Sequence, residues 1–167
     1  CEFSFRGLDI NLKVKVLLKG SLGVNYDKLM AILIDIFNNV VIIEEASLKN
    51  SKFKDVSLKE MHTIDVIGTH PDTTPSAVAK ELMLTLGTVT TSLNKLEKKG
   101  YIVRTRSSVD RRVVHLSLSK KGRLVYRLHR RFHKSMVMRI TEGFNDEELK
   151  VMSKGLENLH AFLEELK

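Results

Sequence analysis

From Thr74 to Gly100 the chain reads TPSAVAKELMLTLGTVTTSLNKLEKKG, and the reading of this stretch decides the fold. Thr74 is a natural N-cap, and Pro75 suits the first helical position, where its missing N–H and fixed φ do no harm. The helix they open buries Val78 and Leu82 on one side. Met83 and Leu84 make a short turn, and Thr85 is a second N-cap. In the helix that follows, Val89, Leu93 and Leu96 form the apolar stripe. Thr88, Thr91 and Lys95 lie on the opposite face, with Thr90 beside them. Gly100 can end the helix in the left-handed conformation. Two short helices of this kind, the second small and polar at its start, predict a helix-turn-helix whose second helix can enter the major groove.

Ser108 to Gly122, SVDRRVVHLSLSKKG, follows as a hairpin tip, a strand and a helix start. Val114, Leu116 and Leu118 alternate with His115 and Ser117, the period-2 pattern of a half-buried strand, and Ser119 caps the next helix. At the tip, Asp110 is expected to hold the Arg112 guanidinium in a bidentate pair, with Arg111 beside it. A cation on a narrow hairpin suits the minor groove. A solvated turn carrying a surface ion pair explains the tip equally well; the helix-turn-helix upstream favours the groove.

The residues Leu93 to Ile102, LNKLEKKGYI, followed by Asp110-Arg111-Arg112, resemble the MarR family of dimeric winged-helix repressors, and the resemblance runs from about Asn25 to Lys167. Ile36–Val40, Phe53–Asp55, Lys59–Gly68 and Arg127–Lys134 are similar to the branch of that family that represses fatty-acid synthesis. The resemblance implies a mainly α fold with a small β-wing, dimerised through its N- and C-terminal helices. It also implies a corepressor, a long acyl chain carried on acyl carrier protein.

Four segments are expected. Residues 1–23 lie outside the resemblance; the true start is expected at Val24, from an alternative GTG codon, with a genuine N-terminal arm as the other reading. Residues 24–56 are read as an N-terminal dimerisation helix, 57–122 as the winged helix-turn-helix, and 123–167 as C-terminal dimerisation helices. From Tyr26 to about Leu48 the chain is apolar nearly all round, through Leu29, Ile32, Leu33, Ile34, Ile36, Phe37, Val40, Val41, Ile42 and Ile43, so burial on several sides is expected. Ser57-Leu58-Lys59-Glu60 is a capping box. Leu124, Leu128, Phe132, Met136 and Ile140 mark one long helix. Leu149, Met152, Leu156, Leu159, Leu163 and Leu166 mark another with a heptad-type seam.

The net charge is +8 over 167 residues, unevenly spread. Residues 123–139 hold six Lys or Arg and no acid, whereas residues 142–167 hold three against seven acids. A basic centre fits a nucleic-acid face, although an anionic membrane or an acidic protein would meet it equally. Cys1, the single cysteine, excludes an internal disulfide framework and agrees with a cytoplasmic protein. No apolar run is long enough to span a membrane, and Glu2, Arg6 and Asp9 interrupt any signal-peptide core.

Catalysis finds no support: there is no P-loop, dinucleotide fingerprint or nucleophile elbow, so an enzyme is not expected. His129 and His133 stand at i, i+4, a metal-ligand spacing, but Arg130, Arg131 and Lys134 flank them, and no metal or other cofactor is expected. His62 and His70 have no Cys or carboxylate pair at ligand spacing and read as core or surface histidines.

The function expected from these residues is sequence-specific repression of transcription. Thr85 would sit at the phosphate backbone, using the helix N-terminus. Leu86, Gly87, Thr88, Thr90 and Thr91 would face base edges, where methyls and hydroxyls suit a palindromic, A·T-rich operator. Lys95, Lys98 and Lys99 would meet phosphates, and Arg111 and Arg112, positioned by Asp110, would enter the minor groove. The apolar excess around Leu33, Ile34, Phe37 and Val41 is the candidate ligand pocket, and Arg123, Arg127, Arg130 and Arg131 the candidate contact for an acidic carrier protein. The alternatives are a regulator sensing another small apolar or phenolic ligand, and a ligand- or protein-binding module whose DNA contact is secondary.

Overall fold

The computed structural model describes residues 25–166, so the expectation about residues 1–23 lies outside the described residues. The chain divides into two compact units, Cys1–Ser47 and Leu48–Lys167. In the first, helix α1 (Tyr26–Lys49) begins where the Asn25 side chain accepts the Lys28 N–H at 2.9 Å. Most of its apolar side chains are open among the described residues: Leu29, Ile34, Phe37 and Ile42 are each more than half exposed, whereas Leu48 near its C-terminal end is buried. Among the described residues, the burial expected for this helix is therefore not supplied along most of its length.

The second unit contains α2 (Leu58–Thr69), α3 (Pro75–Glu81), α4 (Leu86–Lys98), β1 (Ile102–Arg106), β2 (Val114–Leu118), α5 (Lys120–Ile140) and α6 (Asp146–Glu165). Each helix start obeys its local chemistry. The Ser57 hydroxyl accepts the Glu60 N–H at 3.2 Å while the Glu60 carboxylate accepts the Ser57 N–H at 2.9 Å, the reciprocal capping box. Thr74 accepts from Ala77, Thr85 from Thr88, Ser119 from Gly122, and Asn145 from Glu147 and Glu148. Lys99 and Gly100 close α4, with Gly100 at φ +76°, a conformation glycine adopts without steric cost. Between α3 and α4, Met83 holds φ +52°, a left-handed turn residue with a side chain to accommodate.

The core lies beneath α4. Val78, Val89, Leu93, Leu96, Ile64, Tyr101 and Leu116 are almost wholly buried, with Met61, Ile67, Ile102, Leu118 and Val125 around them. β1 and β2 pair antiparallel with Ile102 opposite Leu118 and Arg106 opposite Val114, which makes the wing. Thr73 adds a single-residue bridge to Leu116, the Leu116 N–H donating to its carbonyl at 2.8 Å, so the loop before α3 is tied to the wing's inner strand. Ser119 links the strand exit back to the helix exit, its hydroxyl donating to the Gly100 carbonyl at 2.7 Å. Gly122 packs so closely that a Cβ there would lie 2.0 Å from the Tyr101 carbonyl oxygen.

The apolar stripes expected at the dimer interface on α5 and α6 are largely not used by the core. On α5 the residues that reach the core are Val125 and His129, with Leu124 and Tyr126 packed at its edge, whereas Leu128 and Ile140 are exposed. The core-facing line is thus one residue, about 100° of helix turn, away from the Leu124–Leu128–Phe132 stripe, of which Leu124 alone packs against the core. On α6 no residue is buried within the chain; Leu156 and Leu163 of the heptad-type seam are exposed. No helix among the described residues is long and apolar enough to cross a membrane.

Candidate nucleic-acid interface

α4 is held by its apolar face and presents the other. Val89, Leu93 and Leu96 are sunk in the core, and rotation of 3.6 residues per turn then turns Thr85, Leu86, Gly87, Thr88, Thr90, Thr91 and Lys95 to solvent, where all seven are exposed. The hydroxyls are ordered. Thr85 and Thr88 share a hydrogen bond at 2.8 Å, Thr90 donates to the Leu86 carbonyl at 2.7 Å, and Thr91 donates to the Gly87 carbonyl at 3.0 Å. With their protons spent inside the helix, Thr90 and Thr91 offer an outside partner a methyl group and an acceptor lone pair. That combination suits a thymine methyl or an exocyclic amine of a base.

The wing tip corrects the expected ion pair. The Asp110 carboxylate accepts the backbone N–H of Arg112 at 2.9 Å, and no ion pair joins it to the Arg112 guanidinium among the described residues. Ser107 accepts from the N–H groups of Val109 and Asp110, at 3.2 and 3.3 Å, and the Val113 N–H donates to the Asp110 carbonyl. Asp110 is therefore a turn former of the Asx type, since a short carboxylate reaches the N–H two residues on more readily than it reaches a long side chain. Arg111 and Arg112 are both exposed on the turn it shapes.

The wing is also tied to α4. Arg104 on β1 donates to the Asn94 side chain at 2.7 Å and lies 3.4 Å from Glu97, both on α4. These contacts span ten residues or fewer, yet nothing in the local pattern marks them.

Lys99 is a second correction. Its ammonium donates to both Glu60 carboxylate oxygens at 2.8 Å and also to the Asp55 carbonyl, so it faces inward, away from the phosphate contact expected of it. Lys95 and Lys98 remain exposed. Beside this pair, Tyr101 donates to Asp55 at 2.7 Å, and the Lys121 ammonium stands 4.0 Å over the Tyr101 ring. Burial pushes the Glu60 carboxyl upward, but the Lys99 ammonium and the Ser57 donors outweigh it and leave the group below the ordinary carboxylate range. The Tyr101 hydroxyl and Lys121 lower Asp55 likewise, and burial with the Asp55 contact pushes the Tyr101 phenol well above its usual value.

The four expected pocket residues, Leu33, Ile34, Phe37 and Val41, share one side of α1 and are 40%, 55%, 53% and 45% exposed. On α5, Arg127, Arg130 and Arg131 join Lys134 along an open basic groove, whereas Arg123 turns to donate to the Leu118 carbonyl at 2.6 Å.

Known proteins match this architecture. The MarR family model matches residues 56–114. The HTH-type transcriptional regulator PchR of Bacillus subtilis is 30% identical over 111 residues, a match covering 65% of this chain and 66% of that protein. A crystal structure of Streptococcus pneumoniae FabT in complex with DNA superposes with a TM-score of 0.78 at 65% identity, over 86% of this chain and all of that one. Staphylococcus aureus MepR in complex with DNA shares the fold at 21% identity, with a TM-score of 0.62 over 86% of this chain and 99% of its own. PchR is a transcriptional regulator, and the FabT and MepR structures both contain DNA. On this likeness, and on the helix-turn-helix and wing that carry it, the chain belongs to the MarR family.

Proposed function

We propose that the protein is a homodimeric, sequence-specific DNA-binding repressor of fatty-acid synthesis genes, with a long acyl chain on acyl carrier protein as its corepressor. The observation that carries the DNA-binding part is the division of α4: three residues locked in the core, and an ordered row of threonine methyls with Lys95 on the opposite, exposed face. Thr85 and the first-turn amides meet a phosphate, Thr88, Thr90 and Thr91 meet base edges, and Arg111 and Arg112 reach the minor groove. The Streptococcus pneumoniae FabT structure contains DNA, which supports the same role for a chain 65% identical to it.

Dimerisation is supported by two apolar surfaces that the single chain leaves open, one on α1 and one on α6. A two-fold dimer reads a palindrome with half-sites about 10 bp apart. The corepressor rests on the family branch and on the apolar side of α1 around Leu33, Ile34, Phe37 and Val41. The basic groove of Arg127, Arg130 and Arg131 suits an acidic carrier.

Operator and random duplexes, titrated with and without acylated and unacylated carrier protein, test both parts. The expected result is selective operator binding that acylated carrier tightens several-fold. Equal affinity for both duplexes overturns the DNA reading. Equal operator affinity under all three carrier conditions overturns the corepressor alone.

A further inference from the structure

Two helices of the second unit bring together three histidines that the DNA reading does not use. His129 and His133 come from successive turns of α5, and their Nε2 atoms face each other at 2.8 Å with the rings nearly perpendicular, at 88°. His62 comes from α2; one of its ring nitrogens lies within 4.8 Å of a His129 nitrogen. On the far side of His129, the Asp65 carboxylate meets Nδ1 at 3.1 Å. A carboxylate on Nδ1 fixes the tautomer with its Nε2 lone pair pointing away, toward His133, and raises the basicity of that nitrogen.

We propose that His62, His129 and His133 form a binding site for a divalent transition-metal ion of the Zn2+ class, with Asp65 positioning His129 from behind. Two imidazole nitrogens bound to a tetrahedral metal at about 2.0–2.1 Å stand about 3.3 Å apart. The His129 and His133 nitrogens need to part by only a few tenths of an ångström. His62 is exposed, and it reaches the ion by a change of rotamer that exchanges its present contact for the metal bond. An all-nitrogen set selects zinc, copper or nickel over magnesium or calcium. Arg130, Arg131 and Lys134 argued against a cation from sequence alone. They line one groove with His133 but are exposed to solvent, which screens them, and the Asp65 carboxylate, 3.1 Å from His129, supplies a compensating negative charge at the site. A bound ion would tie α2 to α5. The inference does not depend on DNA binding.

The test uses chelator-treated full chain carrying Cys1→Ser, so that the thiol cannot contribute a ligand. Zn2+ is titrated by calorimetry, and Co2+ is followed by its visible absorption, which is intense only in four- or five-coordinate sites. We expect one saturable equivalent per chain, a higher thermal midpoint with Zn2+, loss of both signals in His62→Ala and in His133→Ala, and no change in His70→Ala. Asp65→Asn should weaken binding by about 10–100-fold, the usual effect of losing an outer-shell partner. Unfolding curves without metal check that the histidine variants stay folded. Absence of saturable binding, survival of binding in either histidine variant, or equal loss in His70→Ala overturns the site and leaves a hydrogen-bonded imidazole pair.

Discussion

Lys98 and Lys99 stand side by side at the end of α4 and have different environments, one in solvent and the other on the Glu60 carboxylate. Lys99→Ala leaves a mostly buried acceptor without its charged partner, so a loss of about 1–3 kcal/mol in urea unfolding is expected. Lys98→Ala should leave stability within about 0.5 kcal/mol, as surface substitutions do. The pair also sets a pH dependence. Glu60 and Asp55 are both lowered in the folded chain, so their stabilisation is complete at neutral pH and fades below about pH 4–5, as protons are taken up first by the unfolded chain. Lys99→Ala should flatten that acid limb, read as thermal midpoint against pH; an unchanged slope would mean the pair does not set it. At the wing, Arg112→Ala should cost operator affinity about 1–3 kcal/mol without loss of stability. Asp110→Ala should lose less, through a loosened turn. Equal operator binding by Arg112→Ala and the unaltered protein at physiological salt removes the wing from the interface.

At the scale of elements, α4 separates two kinds of contact. Thr88→Ala and Thr91→Ala are expected to narrow the affinity gap between operator and random DNA, because base contacts specify and phosphate contacts position. Lys95→Ala should weaken both duplexes together and reduce the slope of log affinity against log salt by about one. A uniform loss from the threonine variants would show that this face reads no bases. The junction of Gly100, Tyr101 and α5 carries a separate constraint. Alanine is favoured over glycine in a helix by about 1 kcal/mol, yet at Gly122 its Cβ would press on the Tyr101 carbonyl at 2.0 Å. Backbone cannot yield as a flexible side chain does, so the clash outweighs the propensity and Gly122→Ala should destabilise by about 3 kcal/mol or more in urea unfolding. A neutral or stabilising result would mean that the junction relaxes freely.

For the whole molecule, the apolar sides of α1 and α6 are the surfaces that the proposed dimer covers. Leu156→Lys on α6 should lower the dimer fraction in sedimentation equilibrium at micromolar concentration, since burying a lysine at an apolar seam is costly. Operator affinity should fall with it, because one winged unit reads only one half-site. A dimer of unchanged strength would take α6 out of the interface.

Capping residues and the apolar stripe of α4 were legible from the chain itself. Ser57, Thr74, Thr85 and Ser119 cap the helices as their sequence contexts predict, and Val89, Leu93 and Leu96 bury as their spacing predicts. These features depend on residues within about one helical turn of each other, so composition and order determine them. The exposed row from Thr85 to Lys95 followed from the same periodicity. Tertiary structure alone decided the partners of long side chains. Lys99 found Glu60 across 39 residues, His129 found Asp65 across 64, and Arg104 found Asn94 across a strand junction, none of which a local pattern encodes. It also decided which line of α5 meets the core, because a shift of one residue turns the helix by about 100°, and only the shape of the surface it packs against selects among such rotations.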